Sequence, residues 1–310
     1  MSVRIATFNL HDLFDLVNTP GKRDRKSKPT PYRLEVKLQK LTLAIRDELG
    51  APEILAVQEV DNQEILQALG DRINADAGTH YRALSFPTSD ERGIEVGFLY
   101  DEHRAEVREA YQLYGLDVER AFGRTSPKPG REPVVGIFRT GGMELVLIAV
   151  HLKSRGGPPI TLPGTSGLEH SADELRREQA RAVRAFVDHL LQADSSSLVA
   201  VAGDFNDYRY ESLAEANHPI TILEGVASEP RLVDLVERVP AEERYTFVHH
   251  GERHPLDHIL VSPALLERVQ EVSIPHFNAG YPRALMDEYT SASRSSDHDP
   301  VVVRLTAAAG

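Results

Sequence analysis

Six short polar clusters in this chain lie at the ends of apolar runs. In Ala202-Gly203-Asp204-Phe205-Asn206-Asp207, a carboxylate and a carboxamide stand two residues apart where an apolar run ends. Short apolar runs are typical of buried strands, and strand ends meet at one edge of a sheet, so the chain should fold as an α/β protein with a site at that edge. The other clusters are Thr7-Phe8-Asn9, Gln58-Glu59-Val60-Asp61, His151-Leu152-Lys153-Ser154, Asp257-His258 and Ser296-Asp297-His298-Asp299.

The spacing of apolar residues predicts helices between these strands. Apolar residues recur at helical spacing over residues 33–49, 62–77 and 172–191, whereas residues 81–150 and the last third read as short strands. Many short strands with three substantial helices favour mixed sheets with helices on the outer faces. The chain contains neither a Gly-x-Gly-x-x-Gly motif nor a Walker-type loop, which argues against nucleotide binding by those devices.

Composition narrows the class of protein. With 310 residues and 41% hydrophobic content, residues 1–310 are expected to form one domain. The net charge of -12 argues against general cationic binding of nucleic acid, but a metal-dependent nuclease stays possible because a bound cation inverts the local charge. No apolar run approaches the ~20 residues of a membrane span. The chain has no cysteine and no visible export signal, so we expect a cytoplasmic or undetermined location, with secretion left open.

The acids and amides of the clusters suit a hard divalent cation beside a phosphate. Mg²⁺ prefers oxygen ligands and needs only one or two carboxylates, with Mn²⁺ as a substitute, and Glu59 is the best single candidate. Asp204 and Asn206 point to the same face of an extended segment. Asp204 can orient or deprotonate water while Asn206 donates to a phosphate oxygen, although an Asx turn is the alternative explanation of this pair.

Two histidines lie in clusters with polar neighbours. His151 and His298 can donate to a phosphate or act as a base, and each needs a partner that fixes its tautomer. The expected partners are Asp257 for His298 and Glu95 for His151. The absence of a His-Glu-x-x-His sequence disfavours a zinc hydrolase.

The clusters together resemble the endonuclease/exonuclease/phosphatase superfamily, which includes pancreatic-type deoxyribonuclease, abasic-site endonuclease, neutral sphingomyelinase and inositol-polyphosphate 5-phosphatase. Six motifs occur in register across almost the whole chain, and His151-Leu152-Lys153-Ser154-Arg155 is most similar to bacterial extracellular-type nucleases. The chain departs from those nucleases because it lacks their cysteines. The motifs are Asn9, Glu59, His151, Gly203-Asp204-Phe205-Asn206, Leu256-Asp257-His258-Ile259-Leu260 and Ser296-Asp297-His298-Asp299-Pro300.

The resemblance implies a four-layer α/β/β/α sandwich with two mixed sheets face to face and one Mg²⁺ site at the sheet edges. By matching position, Glu59 would be the principal metal ligand, with Asn9 and Asp297 in support. His151 and His298 would contact the scissile phosphate. The general base stays open between Asp204 and His298. Two basic residues, Lys153 and Arg155, are expected to bind flanking phosphates.

Three functions are compatible with this sequence. The leading prediction is a Mg²⁺-dependent phosphodiesterase acting on nucleic acid, with preference for DNA as an endonuclease and without an obligate protein partner. The alternative is a metal-dependent phosphoesterase that acts on a small molecule or lipid, such as a phosphoinositide or sphingomyelin, and the acidic net charge favours it. The third is a family member that binds without cleaving, although each catalytic position is occupied by a suitable residue type.

Overall fold

The computed structural model describes residues 2–17, 28–90, 92–113, 131–155, 160–161, 169–208, 218–225 and 229–308. Helices and strands alternate in the first part of the chain, as the apolar spacing predicts. The helices are α1 (Pro31–Leu43), α2 (Gln63–Ala77), α3 (Ala172–Ala193), α4 (Pro219–Glu224) and α5 (Pro263–Leu266). The strands are β1 (Ser2–Leu13), β2 (Ile54–Val60), β3 (Tyr81–Ser85), β4 (Glu95–Asp101), β5 (Ala105–Gln112), β6 (Val134–Thr140), β7 (Met143–His151), β8 (Ile160–Thr161), β9 (Glu169–His170), β10 (Leu198–Asp204), β11 (Val233–Asp234), β12 (Phe247–His249), β13 (Glu252–His254), β14 (Asp257–Val261), β15 (Val269–Ser273) and β16 (Val301–Thr306).

Two mixed sheets of six strands each form the centre of the fold. One has the order β15-β16-β1-β2-β4-β3 and the other the order β11-β14-β10-β7-β6-β5. Each contains one parallel pair, β1 with β2 and β7 with β10, flanked by antiparallel neighbours. A parallel pair brings two strand carboxyl ends to the same edge, so each sheet delivers two of the polar clusters to its edge.

Alternating side chains build the layers. In β1, Val3 and Ile5 join the core between the sheets, while Ala6 and Phe8 pack on the other face with residues of α1 and α2. Both faces of the strand are buried, which is why its sequence reads as a continuous apolar run. The second sheet packs against α3 in the same way, through residues such as Val183. The predicted four-layer sandwich is confirmed.

Local sequence signals explain the helix boundaries. Helix α3 begins with a capping box, in which the Ser171 side chain accepts from the Glu174 backbone and the Glu174 side chain accepts from the Ser171 backbone. Helix α1 was predicted to reach residue 49; instead its α-helical part ends at Leu43 and a π-helical turn continues over Ala44–Glu48. In the part of the chain that the structure describes, no helix is both long and apolar enough to cross a bilayer.

Gly203 permits a close approach at the end of β10. A Cβ atom at this position would lie 1.9 Å from the backbone oxygen of Val150 in the neighbouring strand β7. Only glycine fits without displacing backbone, so the residue before Asp204 is determined by packing between the two strands.

Candidate active site

The register of three adjacent strands brings three predicted residues side by side. In the second sheet, Asp204 at the end of β10 pairs with His151 of β7 on one side and with Asp257 of β14 on the other. All three side chains are buried. The strand ends therefore converge as the polar clusters predict.

Asp257 and His298 form a buried pair. The Nδ1 atom of His298 lies 2.7 Å from Oδ2 of Asp257, and the ring of Phe247 packs 4.9 Å from the His298 ring. Burial opposes the charge of the imidazolium, but the carboxylates of Asp257 and Asp204 outweigh it and raise the pKa of His298 well above its usual value. Nδ1 therefore carries a proton that it donates to Asp257, as the predicted orienting role requires.

Asp204 is held by neutral donors. Its Oδ2 accepts from Nδ2 of Asn9 at 3.0 Å, a contact that joins the two sheets, and its Oδ1 accepts from the backbone of Asn206 at 2.8 Å. Burial and the nearby Asp257 raise the pKa of Asp204 to about 7 against the opposing charge of His298. The Asn206 amide donates to the Leu152 carbonyl at 3.1 Å, so this residue also joins the ends of β10 and β7.

Glu59 projects from a bulge. The pairing of β2 with its neighbours shifts register at this residue, and its φ of 60° is left-handed. A matching irregularity in β1 gives His11 and Asp12 φ values of 52° and 55°. Each left-handed non-glycine residue costs about 1–3 kcal/mol, and such strain is concentrated at functional sites. The two bulges bring the Asp12 backbone N–H to 3.1 Å from Oε2 of Glu59.

The pKa values of Glu59 and Asp12, the two acids at these bulges, shift in opposite directions. Burial opposes ionisation of Glu59, but the charges of Arg92 and His11 hold the pKa of this carboxyl below its usual value. Burial and the adjacent Glu59 raise the pKa of Asp12 to about 6. Two carboxyl groups this close share a proton or a cation more readily than both ionise alone.

Asp297 is in an ion pair with His11. Burial works against its charge, but the hydrogen bond from His11 and the charges of His298 and Lys37 hold the pKa of Asp297 far below its usual value. Burial lowers the pKa of Lys37 to about 8 despite the opposing carboxylates of Asp297 and Asp12. Asp297 thus lies near enough to Glu59 and to His298 to act on both through its charge.

The prediction that Glu95 is the partner of His151 is wrong. Glu95 accepts a hydrogen bond from the Ser85 hydroxyl at 2.7 Å, whereas Nε2 of His151 lies 2.8 Å from Nη1 of Arg131. A guanidinium only donates, so Nε2 is the acceptor and the ring is neutral. Burial and the charge of Arg131 lower the pKa of His151 well below its usual value. Among the described residues, its Nδ1 atom has no hydrogen-bond partner.

His151 lies between the two acidic groups of the site. Its Nε2 is 3.5 Å from Oδ2 of Asp204 and 3.8 Å from Oε1 of Glu59. The sequence alone could not place Arg131, because nothing in its segment points toward His151. The neutral imidazole held by Arg131 therefore lies close to both Asp204 and Glu59 without adding charge.

The two predicted substrate-binding residues lie beyond this centre. The backbone N–H of Lys153 donates to Gln179 of α3, and its carbonyl accepts from Arg176. The guanidinium of Arg155 lies 3.5 Å from Asp207 and 4.8 Å from the Tyr208 ring. Both basic residues follow the end of β7, and Arg155 already forms an ion pair with Asp207.

The donor atoms at this edge fit a divalent cation. Asp204, Asp257 and His298 offer ligand atoms that lie within 4.8 Å of one another. Within the described ranges, Oδ1 of Asp12 and Oδ1 of Asp257 are buried without a hydrogen-bond partner. Asp12 is the neighbour of Glu59, and Asp257 is the neighbour of Asp204. Carboxylate oxygens are ligands that Mg²⁺ and Mn²⁺ prefer. The chemistry of the donor set therefore agrees with the predicted metal.

Sequence reasoning missed several residues of this site. His11 and Asp12 interrupt an apolar run after Asn9 and Leu10, and Lys37 falls on the otherwise apolar face of α1, so all three carried a signal. Arg131 carried no signal that apolar spacing could detect.

The comparison with protein families decides the assignment. The model of the Endonuclease/Exonuclease/phosphatase family matches residues 4–278. The chain belongs to this family. No curated protein sequence matches the chain. The family name covers enzymes that cleave phosphoester bonds, in agreement with the acids and imidazoles at the sheet edges.

Solved structures of this family have the same fold. An endonuclease/exonuclease/phosphatase from Bacteroides vulgatus is 18% identical, covers 98% of both chains and has a TM-score of 0.59. TDP2 from D. rerio, complexed with single strand DNA product, is 19% identical, with 98% of both chains covered and a TM-score of 0.55. A mannosyl-6-phosphatase from Bacteroides thetaiotaomicron is 17% identical, covers 97% of this chain and 98% of its own, and has a TM-score of 0.59.

Proposed function

We propose that this protein is a Mg²⁺-dependent phosphodiesterase that hydrolyses nucleic acid, with DNA as the preferred substrate and internal cleavage as the mode. The observation that carries the proposal is the buried group of Asp204, Asp257 and His298, with Glu59 across His151. Proton-transfer groups and a carboxylate for a cation lie together at one edge of the sheets. Phosphodiester hydrolysis uses both kinds of group.

The acid and base roles follow from the hydrogen bonds. The bond to Asp257 keeps Nδ1 of His298 protonated and leaves Nε2, 4.0 Å from Oδ2 of Asp204, to donate to a phosphate oxygen. Asp204, with a pKa of about 7, accepts the proton of the attacking water. Asn9 holds Asp204 in position for this transfer.

We assign the metal to Glu59 rather than to Asp204, Asp257 and His298, because Nδ1 of His298 already donates to Asp257. Glu59 would be the principal ligand, with Asp297 and the amide of Asn9 in support. A divalent cation bound by these residues would neutralise phosphate charge and activate water. Asn9 also uses its amide to hold Asp204, so a variant at Asn9 would disturb both parts of the site.

DNA as substrate is favoured by one neighbour, and a small phosphoester by another. TDP2 from D. rerio is described with single strand DNA product, whereas the Bacteroides thetaiotaomicron neighbour is a mannosyl-6-phosphatase. The net charge of -12 favours a small substrate over a long polyanion. The small-molecule phosphoesterase is therefore the second candidate.

A substrate panel with and without chelator tests the proposal. Purified protein is incubated with supercoiled plasmid, a single-stranded oligonucleotide, a hexose 6-phosphate, a phosphoinositide and sphingomyelin, in Mg²⁺ or in EDTA. We expect Mg²⁺-dependent nicking of plasmid that EDTA abolishes. His298→Ala, purified in parallel, excludes a contaminating nuclease. Turnover of the hexose phosphate or a lipid alone would replace the nuclease with the second candidate, and no turnover in Mg²⁺ or Mn²⁺ would contradict both.

A further inference from the structure

Two lysines of α1 reach the segment that carries the catalytic histidine. Lys37 and Lys40 are three residues apart and therefore lie on one side of the helix. Nζ of Lys40 donates to the backbone carbonyls of Glu288 and Ser291, each at 2.9 Å. Nζ of Lys37 donates to the carbonyl of Ser295 at 2.5 Å.

Burial makes these lysines costly to keep. Lys40 is only 1% exposed, next to core residues of the helix such as Leu41. Burial lowers the pKa of Lys40, although the carboxylates of Glu288 and Asp287 oppose the shift. An apolar side chain of similar length would avoid the desolvation penalty of the ammonium. The two lysines therefore need a role that a Met or Leu could not perform.

The segment they hold has little regular structure of its own. Between a 3₁₀ turn at Arg283–Asp287 and β16, residues 288–300 form neither helix nor strand. Carbonyls outside regular structure need donors from elsewhere, and three carbonyls of this segment receive them from the lysines in partly buried hydrogen bonds. The ammonium groups thus replace the hydrogen bonds that a sheet would supply.

The held segment continues directly into the site. Ser296, the residue after the one that Lys37 contacts, donates from Oγ to the Asn9 carbonyl at 2.7 Å and accepts from the His298 backbone at 3.1 Å. Asn278 donates to the His298 carbonyl at 2.9 Å. The Ser295 hydroxyl also donates to Oδ1 of Asn278 at 3.1 Å, so movement of Ser295 would be transmitted to His298 through Ser296 and through Asn278.

We infer that Lys37 and Lys40 are positioning residues that order residues 288–298 and so place Asp297 and His298 for catalysis. Their role in catalysis rests on the proposed function, whereas their role in ordering the segment does not. Neither lysine touches the reacting atoms in this assignment. Both contact the segment through backbone carbonyls, and the charge of Lys37 also acts on Asp297.

Hydrogen exchange combined with kinetics tests the inference. Lys40→Met and Lys37→Met remove the ammonium and keep an unbranched side chain that is one atom shorter. Arg33→Met is the matched control because it removes a positive charge from an exposed position of the same helix. For each lysine variant we expect exchange of peptides covering residues 288–298 to rise at least ~10-fold, with β2 and β10 unchanged. kcat should fall about 10-fold and KM change less than about 2-fold, as for a displaced group that acts in the transition state.

The pattern of exchange and the value of kcat together support or overturn the positioning role of the lysines. Unchanged exchange over residues 288–298, or a uniform rise that includes β2 and β10, would overturn the inference. A selective rise with normal kcat would overturn the catalytic half of it. If Lys40→Met does not fold, Lys37→Met carries the same test through Ser295. If the wild type hydrolyses no substrate, the proposed function fails, while the exchange comparison still decides whether the lysines order the segment.

Discussion

Replacing Asp257 by Asn isolates the contribution of the buried pair to the reaction. The substitution keeps the shape of the side chain and removes the charge that accepts from Nδ1 of His298 at 2.7 Å. A hydrogen bond to a charged group contributes about 1.5–3 kcal/mol. Since about 1.4 kcal/mol equals a factor of ten in rate, kcat/KM should fall about 10- to 100-fold. Asp257 acts through His298, and His298→Ala alone should reduce kcat/KM ~100-fold or more. The double variant, Asp257→Asn with His298→Ala, should therefore have almost the same kcat/KM as His298→Ala.

The assay is a double-mutant cycle on Mg²⁺-dependent plasmid nicking, with thermal unfolding of each variant. Asp234→Asn is the control: Asp234 accepts from His258 at 2.8 Å in a second buried pair that does not include His298. This control should lose stability and keep kcat/KM within about 3-fold. Additive losses in the cycle, or near-normal activity of Asp257→Asn, would refute the reasoning that orients His298 through Asp257.

Three further predictions concern Glu59, Asp207 and Gly203. Glu59→Ala should reduce hydrolysis at least ~100-fold and weaken Mn²⁺ binding in calorimetry with the fold intact; near-normal Mn²⁺ affinity would contradict its role as principal ligand. Burial raises the pKa of Asp207. Its partners His218, Arg176 and Arg155 lower it by more, to a net value of about 2. The depressed pKa means that its contribution of about 2 kcal/mol is complete above about pH 4 and is lost as pH falls toward 2. Chemical denaturation of Asp207→Asn should therefore show a deficit at pH 7 that shrinks below pH 4, and a constant deficit would disprove the ion pair. Gly203→Ala should cost about 2–3 kcal/mol because its methyl group would collide with the Val150 carbonyl; an unchanged melting temperature would show that β7 and β10 can separate at this point.

The two predicted acid–histidine pairs show how far sequence patterns reach into the site. Both were proposed from the same kind of evidence, an acid and a histidine in separate strand-end clusters. The structure joins Asp257 to His298, because β14 runs beside β10 and the segment of His298 folds over that edge. It does not join Glu95 to His151. Glu95 bonds to Ser85 on the adjacent strand of the other sheet, and Arg131 takes the imidazole instead.

Apolar spacing predicted the longer strands, the three long helices, their outward position and the polar residues at strand ends, because burial imposes a period of two or 3.6 on the residues nearest in sequence. It did not predict short elements such as β8, β9 and α4. Which ends face one another across two sheets was decided only by tertiary structure. Strand register and sheet packing place Asn9 against Asp204, 195 residues apart in sequence. The bulges that direct Asp12 toward Glu59 and the lysines that hold the loop before His298 depend on those long-range contacts. No local pattern encodes them, since their energies arise only after the sheets have packed.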